Sequence, residues 1–247
     1  MFQAMSPSAI ETLSPGIGQS GIQDDQYADG KGAKNWQQYI GEQAGRTGNY
    51  KNFLMDILNE KEALTILDAA CGTGVDSVML IEEMGAKPGF NLTSADFSDK
   101  MLKYAMKTRW ERRKEQAFFN WTIEESNWMT LSKDVKTPWA GYDAILCMGN
   151  SFPNLMNLHG DFGNQKTAFR QFFDIIRPGG ILIIDHRNYD YILNTDSELS
   201  YLLTGHSYRI TTARTTTTAR MRTRTQWMTP GTTLLTTVTT ARCPPQV

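Results

Sequence analysis

The sequence is short of cysteine, of long apolar runs and of net charge. Its three cysteines, Cys71, Cys147 and Cys243, are too few and too scattered for a disulfide scaffold or a zinc site. No apolar run approaches the roughly 18 residues that a membrane helix needs. Basic residues number 25 and acidic ones 26, a net of −1, which argues against a strongly basic nucleic-acid binder. No basic residue precedes Lys31, so the charged opening of a secretory signal is missing. These absences predict a reduced, cytoplasmic compartment and no membrane partner. What is present is ordinary globular composition, 247 residues of which 40% are hydrophobic and 21% charged, enough to build an α/β core.

The charge balance hides a division. From Leu199 to Val247 there is no Asp, Glu or Lys, but there are six arginines. Taking these six from the 25 basic residues leaves 19 against 26 acidic ones in residues 1–198, a net of −7. The last stretch, 199–247, is a Thr/Arg-rich tail with little apolar periodicity and is expected to be unstructured, although threonine's β-branching suits weak strands. Residues 1–25, rich in Ser, Pro, Gly and Gln, are expected to be a flexible arm. The domain is therefore expected to span residues 26–198.

Within it, helical and short apolar segments alternate, which predicts a doubly wound, mostly parallel α/β sheet. Thr47 is positioned to cap a helix carrying Tyr50, Phe53, Leu54, Ile57 and Leu58. Leu64–Leu67 is the expected first strand, Asp76 the expected cap of the next helix, and Leu92–Ala95 the second strand. Ser98 is expected to start a long helix with a solvated Lys/Arg face. FFNWTIEES, YDAILCM and GGILIIDH are the expected third, fourth and fifth strands. The helix Phe162–Ile176 is expected to end at Pro178-Gly179-Gly180.

In such a sheet ligands bind outside the carboxyl ends of the strands. The first strand runs into Asp68-Ala69-Ala70-Cys71-Gly72-Thr73-Gly74, where bare glycine backbone allows a sharp turn and close approach of a ligand. The second closes on Asp96, 22 residues past Gly74, placed to hydrogen-bond both hydroxyls of a ribose. A dinucleotide turn prefers a third glycine where Ser77 stands, and the carboxylate of Asp68 would oppose a phosphate. S-adenosylmethionine has a ribose, a cationic amino group and no phosphate, and the spacing prefers it.

DAACGTGVDSVML followed by the strand-2 acid is similar to the opening motifs of class I S-adenosylmethionine-dependent methyltransferases, which implies a Rossmann-like methyltransferase fold. QYADGKGAKNWQQYIG, SDKMLKYAMKTRWERRKE, IEESNWMTL, GNSFPNL and RPGGILIIDHRNYDYIL resemble the glycine N-methyltransferase family of the animal type. Halophile-type glycine/sarcosine methyltransferases share several of these strings. The resemblance implies that Tyr27, Trp36, Tyr39 and Arg46 wrap the cofactor from a lid. It implies that Ala70, Gly72 and Asp96 hold the methionine and ribose parts, and that Asn127 and Trp128 lie beside the adenine. Met148, Gly149, Asn150 and Ser151 match the loop after strand 4, and Asn150 with Arg187 matches the pair that holds glycine. A planar Arg fork suits a carboxylate. Without the resemblance, Trp36, Tyr39 and Trp128 read as core aromatics, Arg187 as a surface or ion-pair residue, and Cys71 and Cys147 as buried hydrophobes.

The implied reaction is methyl transfer from S-adenosylmethionine to the amine of glycine, giving sarcosine and S-adenosylhomocysteine, with no metal. A folate inhibitor and a homotetramer are implied as well. The family continues well past RNYDYIL, so the sheet is expected to lack its last two strands. Asn154 stands where the family usually has histidine. A second reading is a truncated remnant that binds cofactor without turnover. A nucleic-acid role for the basic tail is a distant third, betrayed by steep salt dependence.

Overall fold

The computed structural model describes residues 27–42, 47–155, 160–185, 222–225 and 237–242. These fall in one compact unit. Its chain order is α1 (Lys31–Glu42), α2 (Gly48–Glu60), β1 (Thr65–Asp68), α3 (Val75–Met84), β2 (Asn91–Asp96), α4 (Asp99–Glu111), α5 (Gln116–Phe119), β3 (Thr122–Glu125), α6 (Leu131–Asp134), β4 (Tyr142–Cys147), a 3-10 turn (Phe152–Asn154), α7 (Gly163–Ile175) and β5 (Ile176–Ile184). Two further strands, β6 (Arg222–Thr225) and β7 (Thr237–Arg242), follow.

The strands lie in the order β3-β2-β1-β4-β5-β7-β6. The first five pair in parallel, with Leu67 opposite both Thr93 and Ile145. The expected doubly wound sheet is thus present. Strand order reverses between β1 and β4, which places the ligand crevice at the carboxyl ends of β1, β2 and β4.

The five-stranded parallel sheet is continued at the β5 edge by two antiparallel segments. Thr237–Arg242 pairs antiparallel with β5, Leu182 opposite Ala241, and Arg222–Thr225 pairs antiparallel with Thr237–Thr240. An antiparallel addition needs an available backbone edge more than an apolar pattern of its own, and β5 supplies that edge. The tail is therefore built into the sheet in these two segments; its remaining residues, and the arm 1–25, lie outside the described residues.

Alternate strand residues feed two cores, one on each face. Ile66, Leu92, Leu146 and Ile183 join Leu54, Leu58, Leu80 and Trp121 on one side. Leu67, Ala95, Ile145 and Leu182 join Leu131, Tyr142 and Phe172 on the other. Helix α2 begins as expected, the Thr47 hydroxyl accepting from the Tyr50 N–H at 3.3 Å, and buries Leu54, Met55, Ile57 and Leu58. Ser98 is the N-cap residue of α4, as expected.

Three boundaries differ from expectation. Phe118 and Phe119, expected in the third strand, end the short helix α5, and β3 begins at Thr122. Helix α3 is entered through Gly74 at φ 85°, so Asp76 lies inside its first turn and is not the cap. Helix α7 stops at Ile175, before Pro178-Gly179-Gly180, because Ile176 already pairs with Tyr142; the three residues lie within β5, where the register to β4 shifts. At the opposite end of the sheet from the crevice, Asp143 accepts from the Leu64 and Thr65 N–H groups at 2.9 and 2.7 Å and from the Arg177 side chain. Burial raises the Asp143 carboxyl, but these donors outweigh it and hold it below the ordinary aspartate value.

Candidate active site

Each loop above the crevice is anchored by its neighbours. After β1, the chain turns through Gly72 at φ 53° and Gly74 at φ 85°. A Cβ on Gly74 would lie 2.9 Å from the Trp121 ring and 3.0 Å from Ala105, so only glycine lets the turn seat against α4 and Trp121. The Gly72 N–H donates to Asp96 Oδ2 at 2.8 Å, and the Ser98 N–H to Asp96 Oδ1 at 2.9 Å. Asp96 thus joins the β1 turn to the head of α4, and it remains half-buried at the crevice.

Below the turn runs a buried polar chain. The Trp121 indole N–H donates to Ser94 Oγ at 2.7 Å, the Ser94 and Ser77 hydroxyls meet at 2.7 Å, and Ser77 donates to Asp68 Oδ2 at 2.6 Å. An indole can only donate, and the Ser77 proton is committed to Asp68, so the proton between the serines belongs to Ser94. Every donor therefore points toward Asp68. The other oxygen, Oδ1, has no hydrogen bond of ordinary geometry among the described residues. Burial first, then the charge of Asp76, pushes the Asp68 carboxyl up to about 7, against the Ser77 hydroxyl and the Ala70 N–H, which lower it. A buried carboxyl with one oxygen incompletely matched, beneath a glycine turn, is electrostatically suited to a cationic group above it.

After β3, Asp134 Oδ2 accepts from Ser126 Oγ, the Asn127 N–H and Thr130 Oγ1 at 3.2, 3.2 and 2.6 Å. The Thr130 hydroxyl contributes most to holding that carboxyl low. This fixed loop leaves Asn127 exposed. The neighbouring Trp128 donates its indole N–H to the Ala69 carbonyl at 2.6 Å, and its ring lies 5.9 Å from Phe152 and 5.8 Å from Phe172. Trp128 is half-buried and joins the loops after β1, β3 and β4.

After β4, Met148 is buried, Gly149 is exposed at φ 75°, and Asn150 is half-buried at φ 57°. The Asn150 N–H donates to Asp185 Oδ1 at 2.8 Å, and Ser151 Oγ donates to the Met148 carbonyl at 2.7 Å. The structure thus brings Ala70, Gly72, Asp96, Asn127, Trp128 and Met148–Ser151 to the carboxyl ends of adjacent strands. Tyr27 precedes α1, where its carbonyl accepts from the Gly30 N–H at 2.7 Å. Trp36 and Tyr39 lie on α1 with ring centroids 5.8 Å apart; Tyr39 is 49% exposed, so it is no core aromatic. Arg46 and Arg187 lie outside the described residues. Cys71 and Cys147 are buried, and burial pushes both thiols up, as expected of small apolar residues.

Reading the sequence alone missed Asp185, Trp121 and the two buried serines. For Asp185 a signal existed: TILD, TSAD and ILIID are apolar or small strands that each close on aspartate.

Residues 60–228 match the methyltransferase-domain family, and the chain belongs to that family. The match runs into the Thr/Arg-rich segment as far as β6. More narrowly, the chain is 52% identical to the glycine N-methyltransferase of Rattus norvegicus over 191 residues, 77% of this chain and 63% of that protein. It is 34% identical to the glycine/sarcosine N-methyltransferase of Halorhodospira halochloris over 75% of this chain and 63% of that protein. The chain thus spans 63% of the length of either relative. The O-methyltransferase TomG of Streptomyces achromogenes, solved with its methyl donor, shares the fold at a TM-score of 0.54 and 13% identity, covering 90% of this chain and 92% of that one. Among the described residues no helix is long and apolar enough to cross a membrane.

Proposed function

We propose that the chain transfers a methyl group from S-adenosylmethionine to the amine of glycine, giving sarcosine and S-adenosylhomocysteine. The observation that carries this reading is the coincidence of 52% identity to a glycine N-methyltransferase with a crevice whose strand-end residues suit that cofactor. S-adenosylmethionine brings an activated methyl group on a sulfonium. The chain's part is to bind and align: Asp96 takes the ribose, bare backbone at Gly72 admits close approach, and Asp68 beneath the turn favours the cationic amino acid portion. Asn127 and Trp128 flank the adenine, and Tyr27, Trp36, Tyr39 and Arg46 form the lid. Met148, Gly149, Asn150 and Ser151 border the cofactor from the loop after β4, and the Asn150 side chain with Arg187 holds glycine, the guanidinium on its carboxylate. Alignment of a neutral amine on the methyl carbon supplies most of the acceleration.

The same reading includes a folate inhibitor, a homotetramer, a cytoplasmic location and no metal, with residues 1–25 as arm, 26–198 as catalytic domain and 199–247 as tail. Titration calorimetry with S-adenosylmethionine, followed by detection of sarcosine from glycine, tests it. Saturable binding with sarcosine formation supports the reading. Binding without turnover makes the chain a cofactor-binding protein, and no binding overturns the proposal.

A further inference from the structure

Asn150 is held in the left-handed region at φ 57°, a conformation glycine adopts freely and other residues adopt at a cost. Both peptide groups around it are gripped by side chains. On one side the Asn150 N–H donates to Asp185 Oδ1 at 2.8 Å; on the other, Asn154 Nδ2 donates to the Asn150 carbonyl at 3.0 Å. Each gripping residue is itself fixed. Asp185 is 3% exposed and its own N–H donates to the Cys147 carbonyl at 3.2 Å, while the Asn154 N–H donates to the Ser151 carbonyl at 3.0 Å.

The arrangement repeats one seen after the neighbouring strand β1. Gly72, at φ 53°, also donates its N–H at 2.8 Å to the aspartate that ends the neighbouring parallel strand. There the left-handed residue is a glycine, which meets the conformational need at least cost. After β4 the same backbone geometry carries an asparagine. Asparagine tolerates this conformation better than most residues, and unlike glycine it also carries an amide side chain at the mouth of the crevice.

Resting on the glycine reading above, we infer that Asp185 and Asn154 are positioning residues that hold Asn150 left-handed and aim its amide at the bound amino acid. Neither touches the substrate; both act through the Asn150 backbone. A lost clamp bond therefore raises KM for glycine and lowers kcat while leaving cofactor affinity alone.

The test uses the full chain with S-adenosylmethionine affinity and glycine kinetics measured side by side. Asn154 is exposed, so Asn154→Ala leaves the core untouched. It is expected to lower kcat/KM for glycine about 3- to 10-fold, the weight of one neutral hydrogen bond, with cofactor affinity unchanged. Asn154→His, which keeps a ring N–H donor, is expected to recover most of that loss. Asp185→Ala is expected to lower kcat/KM by about 10- to 100-fold, and Asp185→Asn, which keeps an acceptor without the charge, by less. Amide exchange at Asn150 in chain carrying 15N-asparagine gives a readout that needs no turnover: Asn154→Ala and Asp185→Asn are expected to speed it. Wild-type glycine kinetics in Asn154→Ala together with Asp185→Asn overturns the inference, as does equal loss of cofactor affinity. Unchanged Asn150 exchange in both variants also overturns it. Cofactor binding by the wild-type chain without sarcosine formation overturns the glycine reading instead, and leaves the exchange result to judge the clamp.

Discussion

Two turns of this molecule are made alike and filled differently. After β1 and after β4 the chain takes up a left-handed residue whose N–H is caught by the aspartate ending the adjacent parallel strand, Gly72 on Asp96 and Asn150 on Asp185. One turn presents backbone and the other presents a side chain. The difference teaches that the sheet supplies a common clamp, and that the residue placed in it decides whether a ligand meets bare peptide or an amide group.

The largest expected effect comes from removing the first clamp. Asp96→Ala loses two charge-assisted bonds to backbone N–H groups along with the proposed ribose contact, and is expected to weaken S-adenosylmethionine binding by about 10²- to 10³-fold in calorimetry. Asn150→Gly converts the second turn into a copy of the first. The fold is expected to survive, and kcat/KM for glycine to fall by about 10²-fold, the weight of two or three polar contacts. Gly74→Ala forces a Cβ within 2.9 Å of Trp121 at φ 85° and is expected to cost roughly 2–3 kcal/mol in denaturant melts.

The two ends of β1 and β4 are expected to answer pH in opposite senses. Asp68 has its folded pKa raised to about 7, so the folded state holds a proton that the unfolded chain has released between about pH 4 and 7, and stability falls as pH rises through that window. Asp143 has its folded pKa lowered, so its contribution is present above the unfolded value near 4 and is lost as pH falls below it. Asp68→Asn is expected to flatten the first slope, by on the order of 1–3 kcal/mol between pH 5 and 8, and Asp143→Asn to flatten the acid limb. Thermal melts across pH separate them; parallel slopes in both variants would sink the assignment. The smallest effect on folding is expected from Gly72→Asn, since asparagine tolerates the left-handed region and the only near neighbour is the flexible Met101 side chain. A cost of about 1 kcal/mol should accompany at least a tenfold loss of cofactor affinity, because the bare cradle is filled.

Most of the crevice was legible because its signals are local. TILD and TSAD are apolar or small runs closing on an acid, and Gly72 and Gly74 advertise a turn whatever surrounds them. Contacts set by distant neighbours were less legible. Trp121 stands out in the sequence only as part of the expected third strand until Ser94, 27 residues earlier, is placed under its N–H. Pro178-Gly179-Gly180 carries a stop signal, yet the helix ends at Ile175 because pairing with β4 begins first. Strands β6 and β7 carry almost no apolar alternation, since their pairing is specified by the edge of β5 and not by their own pattern.

That last feature bears on how the molecule behaves in a crowded solution. An open β5 would offer Ile181–Ile184, an apolar strand, to any passing chain. With β7 laid along it that edge is paired, and the outermost described strand is the short β6, Arg222–Thr225. Chains lacking β6 and β7 are expected to scatter light below their melting temperature.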